Sequence, residues 1–310
     1  MRIVFCGTPS FAVPALRHLL GQGDLQVESV VTQPDRPRGR GQEIAASPVK
    51  EVARTAGIPI FQPAAIKTEQ AADFFRRISP DAVVIIAYGQ IIPAKLLEIP
   101  RFGWINLHAS LLPKYRGAAP IQWAIANGET RTGLTTMRID AGLDTGDILL
   151  QAEIEIGPDE TAPELSQRMA EAGAPLVAET LRKLERGEVT RRPQEQARAT
   201  FAPVLKREDG RVDWALPAQQ TYNRIRGFAP WPGASTTFRG QACHIWGRPR
   251  ALARVADAPG TIAQANDSLF VACGSESWLE LESVQVEGRK RVSARDFANG
   301  ARLGQQEKFN

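Results

Sequence analysis

Asn106, His108 and Ser110 stand two residues apart in the segment INLHASLLPKYRGAAP (105–120), where an apolar run gives way to a loop rich in Pro and Gly. Residues two apart in a strand point to one face, so Asn106 and His108 project together from a strand end. One offers a fixed amide donor, the other an imidazole able to take and return a proton. An amide for a developing oxyanion beside a general base is equipment for attack on a carbonyl. The chemistry these residues can do is therefore acyl-group transfer without a metal.

A third participant is sought in MRIDAGLDTGDILL, which holds Asp140, Asp144 and Asp147. Three carboxylates so close have the density of a cation site, but no second His or Cys accompanies them and the glycines mark sharp turns. Asp144, flanked by Gly142 and Gly146, is the candidate to hold His108 in one tautomer and stabilise its charged form. At least one of the other two reads as a turn former. The remaining histidines have structural settings: His18 in a helical pattern, His244 alternating with Cys243 and Ile245 in a strand.

Two further motifs stay open on spacing alone. Arg36, Arg38 and Arg40 recur every second residue among prolines and glycines of the loop Gln33–Gln42. They read either as an electropositive finger for phosphate or an RNA end, or as solvated loop charge. Gly7-Thr8-Pro9 follows the first strand as a tight turn or a substrate contact. It is neither G-x-G-x-x-G nor G-x-x-x-x-G-K-[ST], which argues against NAD and ATP.

The elements that must position these residues alternate. Strand patterns at 2–6, 26–32, 60–61, 82–87 and 104–107 are separated by helical ones at 12–20, 49–56, 69–77 and 94–97. Continuous apolar strands in βα order predict a parallel sheet covered on both faces, with ligands outside the carboxyl ends of the strands. After a capped helix or two over 161–185, periodicity fades, and residues 189–205 read as a linker. Beyond it a helix at 218–227 and short strands at 235–238, 242–246, 260–263, 269–273 and 278–286 predict a small barrel or sandwich. The expected domains are 1–188, catalytic, and 206–310.

The net charge of +4 falls wholly after residue 205, which is compatible with a phosphate backbone as partner of the second domain. No apolar run approaches the roughly 18 residues of a membrane span. MRIVFCGTPSF enters a strand pattern at once, unlike a secretory leader. Three scattered cysteines suggest neither disulfides nor structural zinc. A reduced, cytoplasmic chain is expected.

FCGTPSFAVPAL, VVTQPDRPRGRGQ, AVVIIAYGQIIP, INLHASLLPKYRGAAPIQWAI and GLDTGDILL together resemble the 10-formyltetrahydrofolate-dependent formyltransferases. VDWALPA and IRGFAPWPGA extend the likeness into the second domain. SLLPKYRGAAP resembles the branch that includes the tRNA, sugar-nucleotide and folate-dehydrogenase enzymes, and the loop Pro34–Gln42 with the C-terminal barrel narrows it to the tRNA one. The resemblance implies a Rossmann-like parallel sheet followed by an OB-like β-barrel that grips tRNA. It implies transfer of formyl from 10-formyltetrahydrofolate to the methionine of initiator tRNA, with Asn106 an oxyanion donor, His108 either base or oxyanion stabiliser and Asp144 its partner; a monomer is expected. It also implies Ser110, Leu111, Leu112 and Pro113 in the folate pocket, Arg36, Arg38 and Arg40 on the tRNA, and no metal. Two other readings are weaker. A small amine acceptor, such as an amino sugar on a nucleotide, needs neither the arginine loop nor the barrel. A non-catalytic RNA-binding protein needs no intact Asn106, His108 and Asp144.

Overall fold

The computed structural model describes residues 1–38, 43–252, 258–265, 267–304 and 306–310, and every count below is of these residues. They form two compact units: Met1–Pro120 with Arg131–Glu155 and Ser166–Pro203, and Ile121–Thr130 with Ile156–Leu165 and Val204–Asn310.

The first unit is built on a seven-stranded sheet: β1 (Arg2–Gly7), β2 (Gln26–Val31), β3 (Ile60–Phe61), β4 (Ala82–Ile86), β5 (Trp104–His108), β6 (Arg131–Arg138) and β7 (Ile148–Glu155). The order is β7-β6-β5-β4-β1-β2-β3. Strands β1 to β5 pair in parallel. All five residues of β4 are buried, as a strand covered on both faces requires. The parallel expectation stops at β5: β6 runs antiparallel to β5, and β7 to β6. The Asp-Gly loop between β6 and β7 is short, and a short loop can join only antiparallel neighbours. Order reverses between β1 and β4, so their carboxyl ends make the crevice expected of this topology. There Thr8 Oγ1 and Gln33 Nε2 both donate to the Tyr88 carbonyl, at 3.3 and 3.2 Å.

Helices α1 (Val13–Leu20), α2 (Pro48–Thr55), α3 (Glu69–Ile78) and α4 (Ala94–Leu97) fill the crossovers. Ser47 and Thr68 accept from the backbone of Lys50 and Ala71, capping α2 and α3. The α3 face Ala71, Ala72 and Phe75 packs on the β4–β5 core, with Phe75 and Trp104 rings 5.0 Å apart. Trp104 Nε1 donates to the Leu96 carbonyl at 2.7 Å, tying β5 to α4. Behind β5, α6 (Ala162–Glu185) comes close because Gly173 has no Cβ, which would lie 2.5 Å from Leu107 Cδ2. Residues 189–205 are not idle chain: Gln196–Arg198 makes a 3-10 turn, and Phe201–Ala202 pairs in parallel with Arg116–Gly117.

The second unit takes in part of α5 (Pro120–Ala126), then α7 (Ala218–Gly227) and α8 (Ala294–Ala301) around an antiparallel sheet. Its strands are β8 (Ser235–Phe238), β9 (Gln241–Pro249), β10 (Ile262–Ala265), β11 (Ser268–Cys273), β12 (Ser277–Val286) and β13 (Val292–Ser293). The order is β8-β9-β12-β11-β10, with β13 on β12. Residues 307–310 pair with both edges. Asn310 exchanges two backbone bonds with Thr237 on β8, at 3.0 and 2.9 Å. Beside β10, Phe309 N donates to the Gly260 carbonyl at 2.9 Å and Ile262 N to the Glu307 carbonyl at 2.8 Å. The ring of Phe309 plugs the core near Trp214, Phe238 and Phe297. Among the described residues, no helix is long and apolar enough to cross a membrane.

Candidate active site

Strand β5 delivers the site. Its alternation sends Leu107 toward α6 and leaves Asn106 and His108 on the other face. His108 is only 6% exposed, and its Nε2 lies 2.9 Å from the Tyr115 carbonyl. A carbonyl only accepts, so Nε2 carries a proton and donates it there. Nδ1 faces Asp144, 3.7 Å from Oδ2. That same Oδ2 accepts from the Gly117 backbone N–H at 2.8 Å. The Asn106 amide is half-buried and has no hydrogen-bond partner among the described residues, so its N–H groups are available to a reactant. A base, a carboxylate to stabilise its charged form and a free amide donor suit a reaction that builds negative charge on a carbonyl oxygen.

The Asp144 loop is held by its glycines. Asp144 itself is left-handed, at φ 51°. A Cβ on Gly146 would lie 1.7 Å from the Arg138 carbonyl oxygen. Gly146→Ala must therefore push the loop off β6 and carry Asp144 away from the imidazole. We expect turnover about tenfold down, since misplacement of a reacting group by about an ångström can cost more than that. Wild-type turnover in a folded Gly146→Ala protein would contradict this. Asp140 is the turn former, accepting from Gly142 N at 3.0 Å and Thr145 Oγ1 at 2.7 Å. Among the described residues, no group of three His, Cys, Asp or Glu could hold a metal ion.

Comparison with known proteins places this geometry. The formyl transferase family model matches residues 1–181, and its C-terminal domain model matches 204–302. The chain belongs to the formyltransferase family. Methionyl-tRNA formyltransferase from Solibacter usitatus is 55% identical over 309 residues, covering 100% of this chain and 98% of that one. The protein of the same name from Acidobacterium capsulatum is 54% identical over 304 residues, covering 98% and 97%. Among solved structures, the sugar 3N-formyl transferase WlaRD, studied with dTDP and 5-N-formyl-THF, is similar with a TM-score of 0.65. That likeness covers 94% of this chain and 99% of WlaRD at 16% identity, and so bears on the fold alone.

In this formyltransferase the Ser110–Pro113 turn is folded inward. Ser110 Oγ donates to the Lys114 carbonyl at 2.6 Å, and the Ser110 carbonyl accepts from Thr135 Oγ1 at 2.6 Å. Leu112 is buried against Met137 and Ile148, with its N–H on Thr135 Oγ1 and its carbonyl on Gln151 Nε2. Leu111 lies over Gly133. The Ser110 hydroxyl and the Leu112 side chain thus shape the turn from within. Large apolar side chains that face solvent include Ile91 and Leu143, 91% and 62% exposed, and Phe201, which pairs with Arg116 and is 65% exposed. Leu143 adjoins Asp144.

In the arginine loop, Arg36–Arg38 pairs antiparallel with Glu43–Ala45, and residues 39–42 lie outside the described residues. Arg36 is exposed; Arg40 and the side chain of Arg38 lie outside the described residues. Lys50 bonds Asp35 just before this strand pair, and Gln62 Nε2 bonds both Asp35 Oδ1 and the Gln33 carbonyl at 2.9 Å. The Lys50 and Gln62 bonds hold the Asp35 carboxyl below the usual carboxylate range. Among the described residues, no hydrogen bond or ion pair joins this strand pair to Asn106, His108 or Asp144.

Sequence reasoning missed a second layer around Asp144. Arg116 is buried, 2% exposed, and has no carboxylate partner among the described residues. Its Nε and Nη2 donate to Gln194 Oε1 at 3.1 and 2.8 Å, and Nη1 to Gln196 Oε1 at 2.7 Å. Gln194 Nε2 in turn donates to the carbonyls of Asp144 and Gly146, each at 2.8 Å. Nothing in the local sequence marks Gln194, because its partners are 48 to 78 residues away.

Proposed function

We propose that this chain transfers the formyl group of 10-formyltetrahydrofolate to the α-amine of methionine on initiator tRNA, acting as a cytoplasmic monomer. The observation that carries the reading is buried His108 facing the partly exposed Asp144, with an Asn106 amide unpartnered among the described residues, within a family whose relatives bear the methionyl-tRNA name. The co-substrate supplies an activated formyl carbon on a nitrogen leaving group. Asn106 donates to the formyl oxygen as the amine adds and charge gathers there. With Nε2–H committed to Tyr115, His108 takes the amine proton at Nδ1, and Asp144 stabilises the cation that results. As the new C–N bond forms and the old one breaks, His108 returns the proton to the departing folate nitrogen. The exposed side chain of Leu143 beside Asp144 suits a flat heterocycle, and the Ser110–Pro113 turn is assigned to the folate pocket in this reading.

In this reading residues 1–188 catalyse, 189–205 connect and 206–310 hold the tRNA, while Arg36, Arg38 and Arg40 reach the acceptor end. Each arginine on a phosphate contributes by counterion release, so Arg36→Ala should flatten the plot of log affinity against log salt by about one unit of slope. Folate binding should not change. Equal slopes for the two proteins would remove Arg36 from the interface. The test of the function itself is transfer of labelled formyl to initiator methionyl-tRNA, beside elongator methionyl-tRNA and free methionine. Labelling of the initiator alone supports the reading. Formate release without labelled tRNA would leave a hydrolase, and labelling of a small amine would move the chemistry to another acceptor.

A further inference from the structure

We infer that Gln194 is a positioning residue for this reaction, fixing Asp144 against His108 through the main chain of the Asp-Gly loop. The inference rests on the function proposed above. A carboxamide has two acceptor lone pairs and two donor hydrogens. At Gln194 all four are used: Oε1 takes Nε and Nη2 of Arg116, and Nε2 gives to the carbonyls of Asp144 and Gly146. The amide is 9% exposed, so little water competes for these bonds. The order of the chain matters. A buried guanidinium pulls on the amide oxygen, which sharpens the amide hydrogens, and those grip the two carbonyls that bracket the loop's tight bend. Beside them, Gly117, next in sequence to Arg116, holds the Asp144 carboxylate itself. The carboxylate and its own peptide are thus pinned from one short strand and its partner segment, Arg116–Gly117 and residues 192–202.

Gln194 could instead serve only to satisfy a buried cation. Glutamate separates the two roles. Q194E keeps acceptors for Arg116, and adds charge to them, but has no hydrogens for the Asp144 and Gly146 carbonyls. The experiment measures kcat, KM for both substrates and melting temperature for wild type, Q194A and Q194E on the full chain. We expect kcat about tenfold down in both variants, KM within about twofold, and no better turnover in Q194E than in Q194A. Wild-type turnover by Q194E would overturn the inference, because satisfying Arg116 would then suffice. So would a loss in Q194A that appears wholly in KM or follows only the folded fraction. If wild type released formate without labelling tRNA, the acceptor reading would fail, while the same kcat comparison on formate release would still decide Gln194. If wild type formed neither product, both would fall.

Discussion

Replacing Asn106 with alanine should lower turnover by about 10²–10³-fold, the usual result of removing one oxyanion donor. The protein should otherwise remain intact. Asn106 sits in the middle of the sheet, opposite Ile85 on β4 and Met137 on β6, and those backbone pairs do not depend on its side chain. Among the described residues, its amide makes no internal hydrogen bond that truncation would break. The free energy of unfolding should therefore fall by about 1 kcal/mol or less, since the substitution breaks no hydrogen bond. Single-turnover formyl transfer with both substrates saturating is the decisive measurement. A folded Asn106→Ala protein with near-full turnover would mean that the oxyanion is stabilised elsewhere.

The second large effect is on stability. Trp104→Ala should cost about 3–5 kcal/mol, the range for a large aromatic removed from a core. Trp104 is fully buried, packs on Phe75 and gives the Leu96 carbonyl its hydrogen bond. Alanine leaves both a void and a carbonyl that has lost its donor. Trp104→Phe keeps most of the packing and removes the bond, so it should cost nearer 1–2 kcal/mol. Urea unfolding followed by far-UV circular dichroism checks both. A loss below about 1 kcal/mol in the alanine protein would show that α3 and α4 close over the gap. Since Trp104 opens the strand that ends on His108, activity per folded molecule reports whether the void travels along β5.

Much of the site was legible because its parts are local. Asn106 and His108 share a strand, and a strand fixes which side chains share a face. Asp144 could be singled out because two glycines frame it, and a glycine beside a polar residue signals a bend that only such a residue tolerates. The parallel strands were readable from unbroken apolar runs such as Val83–Ile86. Strand β6 was not: Thr135 and Thr136 are buried polar residues whose partners, Ser110 and Thr180, lie elsewhere in the fold, so their pattern imitates a surface segment. The inward fold of Ser110 and Leu112 was hidden for the same reason, since Thr135 and Gln151 hold them from another part of the chain. Composition also could not reveal that residues 121–130 and 156–165 cluster with the second unit. Membership of a unit is a matter of contact, which neither periodicity nor charge records.

The four residues 307–310 have a consequence for handling the protein. By pairing with Thr237 on one side and with Gly260 and Ile262 on the other, they cover two sheet edges at once. An uncovered edge is a template for another chain. Cutting the chain before residue 307 would therefore expose two adhesive borders while leaving almost all of the secondary structure in place. Such a preparation should precipitate before it unfolds, and any change at residues 307–310 would have to leave that seam undisturbed.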